Sequence, residues 1–291
     1  MNYRHAYHAG NFADVAKHAI LTLIIEHLKK KAKPFRVIDT HAGLGLYDLS
    51  RSEATRSPEW REGIARVRQS LAASEFPFEA AGLIAPYMAA IDGFNANNEL
   101  VCYPGSPCLA RALMRPDDRL VANELHLDDY ANLSDQFARD RQTSVMNHDA
   151  WAVLKALLPP KERRGVILVD PPFEDPGEFD RLVDGLMTAT RRFANGIYML
   201  WYPMKDQHAT FTFTSKIAAT GLPKLLQAAL TIRPPGPGQH RSGALYGSGL
   251  IIHNPPFGLD SALRILLPPL AQIMSQDGRG DAEVIWLRGE T

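Results

Sequence analysis

Four polar positions close short apolar runs in this chain, and their spacing leaves few folds open. Residues 35–38 run into Asp39-Thr40-His41-Ala42-Gly43-Leu44-Gly45, and residues 120–122 precede Glu124. Asp149 follows 25 residues later, and residues 166–169 end at Asp170 after a further 21. Each interval is about one strand–helix unit. Helical apolar spacing fills the stretches between, as over residues 128–139, 150–158 and 179–193. Apolar runs at 196–201, 226–232, 250–252 and 284–287 predict further strands. This alternation predicts an α/β, Rossmann-like fold with a doubly wound, mostly parallel sheet. The closeness of the last runs predicts an antiparallel hairpin at one edge, which suits seven strands.

One stretch breaks the rhythm. In a nucleoside-binding unit, an acidic residue for the ribose hydroxyls falls about 20 residues beyond the glycine loop. Here the first candidate, Glu124, lies 79 residues beyond Gly45. Residues 48–103 are therefore predicted to be a small helical insertion subdomain, with helices near 60–71 and 79–94. Residues 1–47 and 104–291 form the main domain. Before the glycine loop, Val15, Ala19, Ile20, Leu23, Ile24 and Leu28 recur at helical spacing until Pro34 stops the pattern.

Lys+Arg and Asp+Glu each number 32, so any nucleic-acid contact must rest on local patches. Candidates are Lys29-Lys30-Lys31 with Lys33, Lys161 with Arg163-Arg164, and Arg191-Arg192. The two cysteines, Cys102 and Cys108, lack the spacing of a zinc site or a disulfide framework, and no metal is expected. No signal core or membrane-length apolar run is visible, so the chain reads as cytoplasmic and without a membrane partner.

The residues that speak most directly to chemistry are Asp170-Pro171-Pro172-Phe173. An exocyclic amine on a planar base is a poor nucleophile because its lone pair is delocalised into the ring. A carboxylate and a proline carbonyl can accept its two N–H bonds and favour a pyramidal nitrogen, while an aromatic face holds the extruded base. Asn254-Pro255-Pro256-Phe257 repeats the pattern, but only 34 residues follow it, so a turn role is expected. The Gly43-x-Gly45 loop lacks the third glycine of a dinucleotide site, that position being Asp48, which argues against NAD. It suits the amino-acid end of S-adenosylmethionine. Glu124 could then accept the ribose hydroxyls and Asp149 the adenine amino group. The aromatic and histidine-rich start, Tyr3 to Asn11, is read as a flap over cofactor and target base.

These motifs together resemble a known family. Tyr-Arg-His-x-Tyr-His-Ala-Gly-Asn-x-Ala-Asp-Val-x-Lys-His at Tyr3 to His18, Asp-Thr-His-Ala-Gly-x-Gly, Tyr-Pro-Gly-Ser-Pro, Glu-Leu-His, Arg-Arg-Gly-x-Ile-Leu-x-Asp-Pro-Pro and Leu-Trp-Tyr-Pro are similar to the bacterial ribosomal RNA large-subunit methyltransferase J family. The similarity runs from Tyr3 nearly to the C-terminus. It implies a class I S-adenosylmethionine-dependent methyltransferase that modifies N6 of one adenine in 23S ribosomal RNA; no obligate protein partner is evident, and a monomer is expected. By motif match it implies cofactor contacts at Lys17, His18, His41, Gly43, Ser106, Glu124, Asp149, Ala150 and Asp170. Asp170, with Pro171 and Phe173, would orient the amine and base, and Tyr3 would touch RNA. Phe173 stands where tyrosine is common, and Ala150 where glycine is common. Rival readings are an N6-adenine DNA methyltransferase, a protein-glutamine methyltransferase, and an RNA-binding assembly factor that holds S-adenosylmethionine structurally.

Overall fold

A computed structural model describes residues 7–51, 54, 56–235 and 245–289. Its first helix, Phe12–Lys29, is capped by Asn11, whose side chain accepts from the Ala13 and Asp14 amides. Among the described residues, ten strands follow in chain order: β1 (Arg36–Asp39), β2 (Leu46–Asp48), β3 (Cys102–Pro104), β4 (Arg119–Asn123), β5 (Thr143–Met146), β6 (Gly165–Val169), β7 (Ile197–Met204), β8 (Leu225–Thr231), β9 (Gly247–His253) and β10 (Asp281–Arg288).

Eight of these form one sheet in the order β10-β8-β9-β7-β6-β1-β4-β5. The five from β5 to β7 are mutually parallel, and β9 runs antiparallel to both β7 and β8. The expected antiparallel pair is present as β8–β9, one strand in from the edge. The expected seven strands are eight, because β10 adds antiparallel to the outside of β8. That strand carries partly exposed Ile285 and Trp286, as an edge strand can.

Both faces of the sheet are covered, so the central strand β6 is apolar and buried at every position rather than alternately. Val37, Val166 and Leu168 enter one core, beneath the helices Phe12–Lys29 and Leu259–Met274. Ile38, Ile167 and Val169 enter the other, beneath Ala150–Leu157, Glu178–Arg192 and Gln207–Ala219. This is the period-two alternation of a pleated strand.

Residues 48–103 carry the helices Glu59–Glu62, Ile64–Ala72 and Phe78–Asp92, close to those predicted. The segment is rooted on a two-stranded ribbon of β2 and β3. Its residues Ile64, Val67, Ile84, Tyr87 and Ile91 belong to the same core cluster as the first helix.

Because β9 is reversed, its carboxyl end points to the opposite edge of the sheet from those of β1, β4 and β6. Asn254 therefore sits far from their crevice. Its amide donates to the carbonyls of Ala194 at 2.7 Å and Gly196 at 2.9 Å, and Phe257 is almost fully exposed. The second Pro-Pro motif is a turn. Among the described residues, no helix is long and apolar enough to cross a membrane.

Candidate active site

The chain adds β4 and β5 on one side of β1, and β6 and β7 on the other, so the loops leaving the carboxyl ends of the parallel neighbours β1 and β6 part there to open a crevice. A cavity of about 500 Å³ fills it. Following the strand order, its wall passes from Glu124 after β4, through His41 and Gly43 after β1, to Asp170 and Phe173 after β6 and Lys205 after β7.

The glycine loop is shaped by sterics. Gly43 and Gly45 have φ of +61° and +83°, and a Cβ at Gly43 would run into the Tyr47 hydroxyl. Glu124 fastens this loop: one carboxylate oxygen accepts from the Gly43 amide at 2.8 Å, the other from the His126 amide at 2.8 Å. Burial pushes the Glu124 carboxyl up, against the pull of those two amides. Asn123 ties the neighbouring ends together, donating to the Thr40 and His148 carbonyls at 3.0 and 2.9 Å. Burial lifts the Asp39 carboxyl to about 6, opposed by Ser106 and Lys17. Burial also lowers His41 to about 4. His41 is thus neutral at pH 7, and its Nδ1 accepts from the Asp170 amide at 3.4 Å.

Asp170 is held from the first helix. The Lys17 ammonium lies 2.5 Å from the Asp170 carboxylate and 2.9 Å from that of Asp14. The three side chains are 5%, 14% and 1% exposed. Burial works against the Lys17 charge, but the two carboxylates outweigh it and hold its pKa above the ordinary lysine value. Asp14 also accepts from the Gly10 amide at 3.0 Å, which anchors the segment before the helix.

Phe173 has φ of +53°, a left-handed backbone that costs a bulky residue about 1–3 kcal/mol. That conformation turns its ring into the cavity, braced edge-on by Phe179 at 4.9 Å and Trp201 at 5.8 Å. Pro171 behind it is buried.

Lys17, His18, His41, Gly43, Ser106, Glu124, Asp170, Pro171 and Phe173 therefore share one cavity wall. Asp149 and Ala150 do not line it. Asp149 instead caps the helix Ala150–Leu157, accepting from the Ala152 amide at 2.9 Å, although its charge is felt at His41. Tyr3 lies outside the described residues. The part of the expected flap that is described, Tyr7 to Asn11, is tied to residues 59–64. The His8 ring and the Asn11 amide meet the Glu59 carboxylate at 3.0 and 2.9 Å, and the Ile64 amide donates to the Gly10 carbonyl.

Sequence reasoning passed over Asp14, Glu59, Trp201, Lys205 and Arg233. Asp14 had a signal, since an acid three residues before a lysine shares its helix face. Trp201 lies within Leu-Trp-Tyr-Pro, which by itself points to no role. The others carry no local pattern.

A family model described as ribosomal RNA large subunit methyltransferase D, RlmJ, matches residues 32–288. The chain belongs to this methyltransferase family. It is 41% identical over 287 residues to the ribosomal RNA large subunit methyltransferase J of Escherichia coli K12, covering 99% of each chain. The protein of that name from Haemophilus influenzae is 37% identical over all 291 residues. A crystal structure of protein LPL1258 from Legionella pneumophila superposes with a TM-score of 0.83 at 32% identity, covering 96% of this chain and 98% of that one. The methyltransferase thus has a class I fold carrying an additional edge strand, with its acidic Pro-Pro loop at the end of β6.

Proposed function

We propose that this methyltransferase transfers a methyl group from S-adenosylmethionine to N6 of one adenine in 23S ribosomal RNA, with that base extruded into the cavity. The observation that carries the reading is the position of Asp170-Pro171-Pro172-Phe173 on the same wall as Gly43 and Glu124. Acceptors for an amine, an aromatic face and a nucleoside-type site then meet across one sheet edge.

The donor set suits S-adenosylmethionine. Glu124 keeps lone pairs for ribose hydroxyls while its carboxylate grips the loop, and the Gly43 turn lets backbone approach a ligand closely. When bound, the cofactor supplies an electrophilic methyl. Asp170 and the Pro171 carbonyl accept the two amine N–H bonds, Phe173 stacks on the base, and the Asp170 charge opposes the positive charge developing on nitrogen. Asp170 need not be a strong base, because the amine turns acidic only once methylated. Lys17 keeps the carboxylate aimed and Asp14 keeps Lys17 charged. Lys205 and Arg233 at the cavity rim supply cations for the RNA backbone. Residues 48–103 form the inserted subdomain, which presents Glu59 to the flap, and the site of action is cytoplasmic.

Glu124→Ala removes a charged acceptor and releases the Gly43 amide. Cofactor affinity should fall by about 2 kcal/mol, or roughly thirtyfold, as read by calorimetric titration with S-adenosylmethionine. An unchanged dissociation constant would remove Glu124 from the cofactor site.

The reading itself is tested with labelled S-adenosylmethionine and deproteinised 23S RNA, followed by nucleoside mass spectrometry. N6-methyladenosine at one position is expected. Label entering DNA or protein instead, with none in RNA, would overturn the substrate assignment.

A further inference from the structure

A buried polar chain behind the cavity joins the insertion to Asp170. Tyr87, on the helix Phe78–Asp92, meets the Tyr103 hydroxyl at 2.8 Å. Tyr103, on β3, meets His18 Nδ1 at 2.7 Å, and its ring stacks on the imidazole with centroids 5.6 Å apart. Neither tyrosine has exposed surface, and His18 is 1% exposed. His18 Nε2 lies 4.0 Å from Asp14 Oδ1, the oxygen that grips Lys17, and Lys17 holds Asp170. Three residues of one helix thus connect two tyrosines of the insertion to the acidic Pro-Pro loop.

The ends of the chain set its proton direction. A proton on Nδ1 would leave an Nε2 lone pair facing the Asp14 carboxylate, whereas a proton on Nε2 turns a positive edge toward it. Nδ1 is then an acceptor, the Tyr103 hydroxyl donates to it, and the Tyr87 hydroxyl donates to Tyr103. Burial pushes the Tyr103 phenol far above its ordinary range, so it keeps the proton it donates. A charged imidazole at this depth would carry a large desolvation cost.

We propose that Tyr103 and Tyr87 are positioning residues that hold His18 neutral with its proton on Nε2, and through Asp14 keep Lys17 and Asp170 aimed at the target amine. The kinetic consequence rests on the proposed methylation, while the tautomer is a property of the protein alone.

Proton–nitrogen correlation spectra of the full chain with labelled histidine, assigned with His18→Asn, report which ring nitrogen carries the proton. The wild type should show a bare Nδ1. Tyr103→Phe keeps the ring stack but loses the donor, so the tautomers mix. Its kcat on 23S RNA should fall about tenfold, the equivalent of one hydrogen bond of about 1.4 kcal/mol, with KM for RNA changed by less than about twofold. Tyr103→Phe also strands the Tyr87 hydroxyl in a dry core, so it lowers stability. The double variant Tyr87→Phe/Tyr103→Phe removes both hydroxyls and should regain thermal stability without regaining kcat or the single tautomer. A protonated Nδ1 in the wild type would overturn the proposal. So would a kcat that recovers together with stability in the double variant, since that marks a purely structural role. If the wild type methylates no RNA, the functional reading fails and the spectra alone decide the positioning.

Discussion

Asp170→Ala should lose methyl transfer by about a thousandfold or more while binding S-adenosylmethionine as tightly as the wild type. The alanine removes the acceptor that aims the target amine and the charge that opposes the developing positive nitrogen. It leaves the Glu124 grip on the glycine loop untouched. The fold should survive as well. Lys17 sits between two carboxylates, and removing Asp170 leaves it paired with Asp14 at 2.9 Å. Single-turnover transfer into 23S RNA, run beside calorimetric cofactor titration, separates the two effects. Turnover within tenfold of the wild type would end the assigned role, and lost cofactor binding would move Asp170 into the cofactor site.

Lys17→Met should do the opposite to stability. It leaves the Asp14 and Asp170 carboxylates buried near one another with no cation between them, and breaking a buried pair in this way costs about 3–5 kcal/mol. The cost should depend on pH with a definite sign. Without Lys17 two buried like charges repel one another, and a proton taken up by either carboxylate relieves that repulsion in the folded variant alone. The variant's deficit is therefore largest near pH 7 and shrinks as pH falls toward the ordinary carboxyl range. In the wild type the raised Lys17 pKa contributes stability that is present at neutral pH and lost only at strongly alkaline pH. Urea denaturation at several pH values measures this directly. A deficit that is flat between about pH 7 and pH 4 would mean that the carboxylates do not feel each other. Methyl transfer should fall with the lysine too, because Asp170 loses the group that orients it.

The two experiments bear on different parts of what the chain displays. Asp170 was visible as a candidate because strand, acid, proline and aromatic are adjacent in sequence. Lys17 was marked only through resemblance. Its partner lies 153 residues away, and no periodicity reports such a pairing. The helix Leu259–Met274 escaped notice for a local reason: Pro268 and Pro269 lie inside it, and proline is read as a helix breaker. The eighth strand was legible as an apolar run over 284–287, but its place outside β8 was not, since strand order is not written along the chain. Asp149 shows the converse. Its spacing suits a ligand and its side chain also caps the helix that follows, a second role that spacing does not report.

By itself, the sequence determined the alternation of strands and helices, the helices within residues 48–103, the loops that leave the strand ends, and the turn nature of the second Pro-Pro motif. These follow from side-chain periodicity, backbone restrictions and spacing, all of which act within a few residues. Tertiary packing alone decided that Lys17 meets Asp170, that Phe173 takes a left-handed backbone against Trp201, and that Tyr103, itself bonded to Tyr87, reaches His18. Hydrophobic pattern says which face of a helix is buried. Which buried polar groups then find one another depends on how that helix lies across the sheet, because each must be satisfied by whatever the packing brings within about 3 Å.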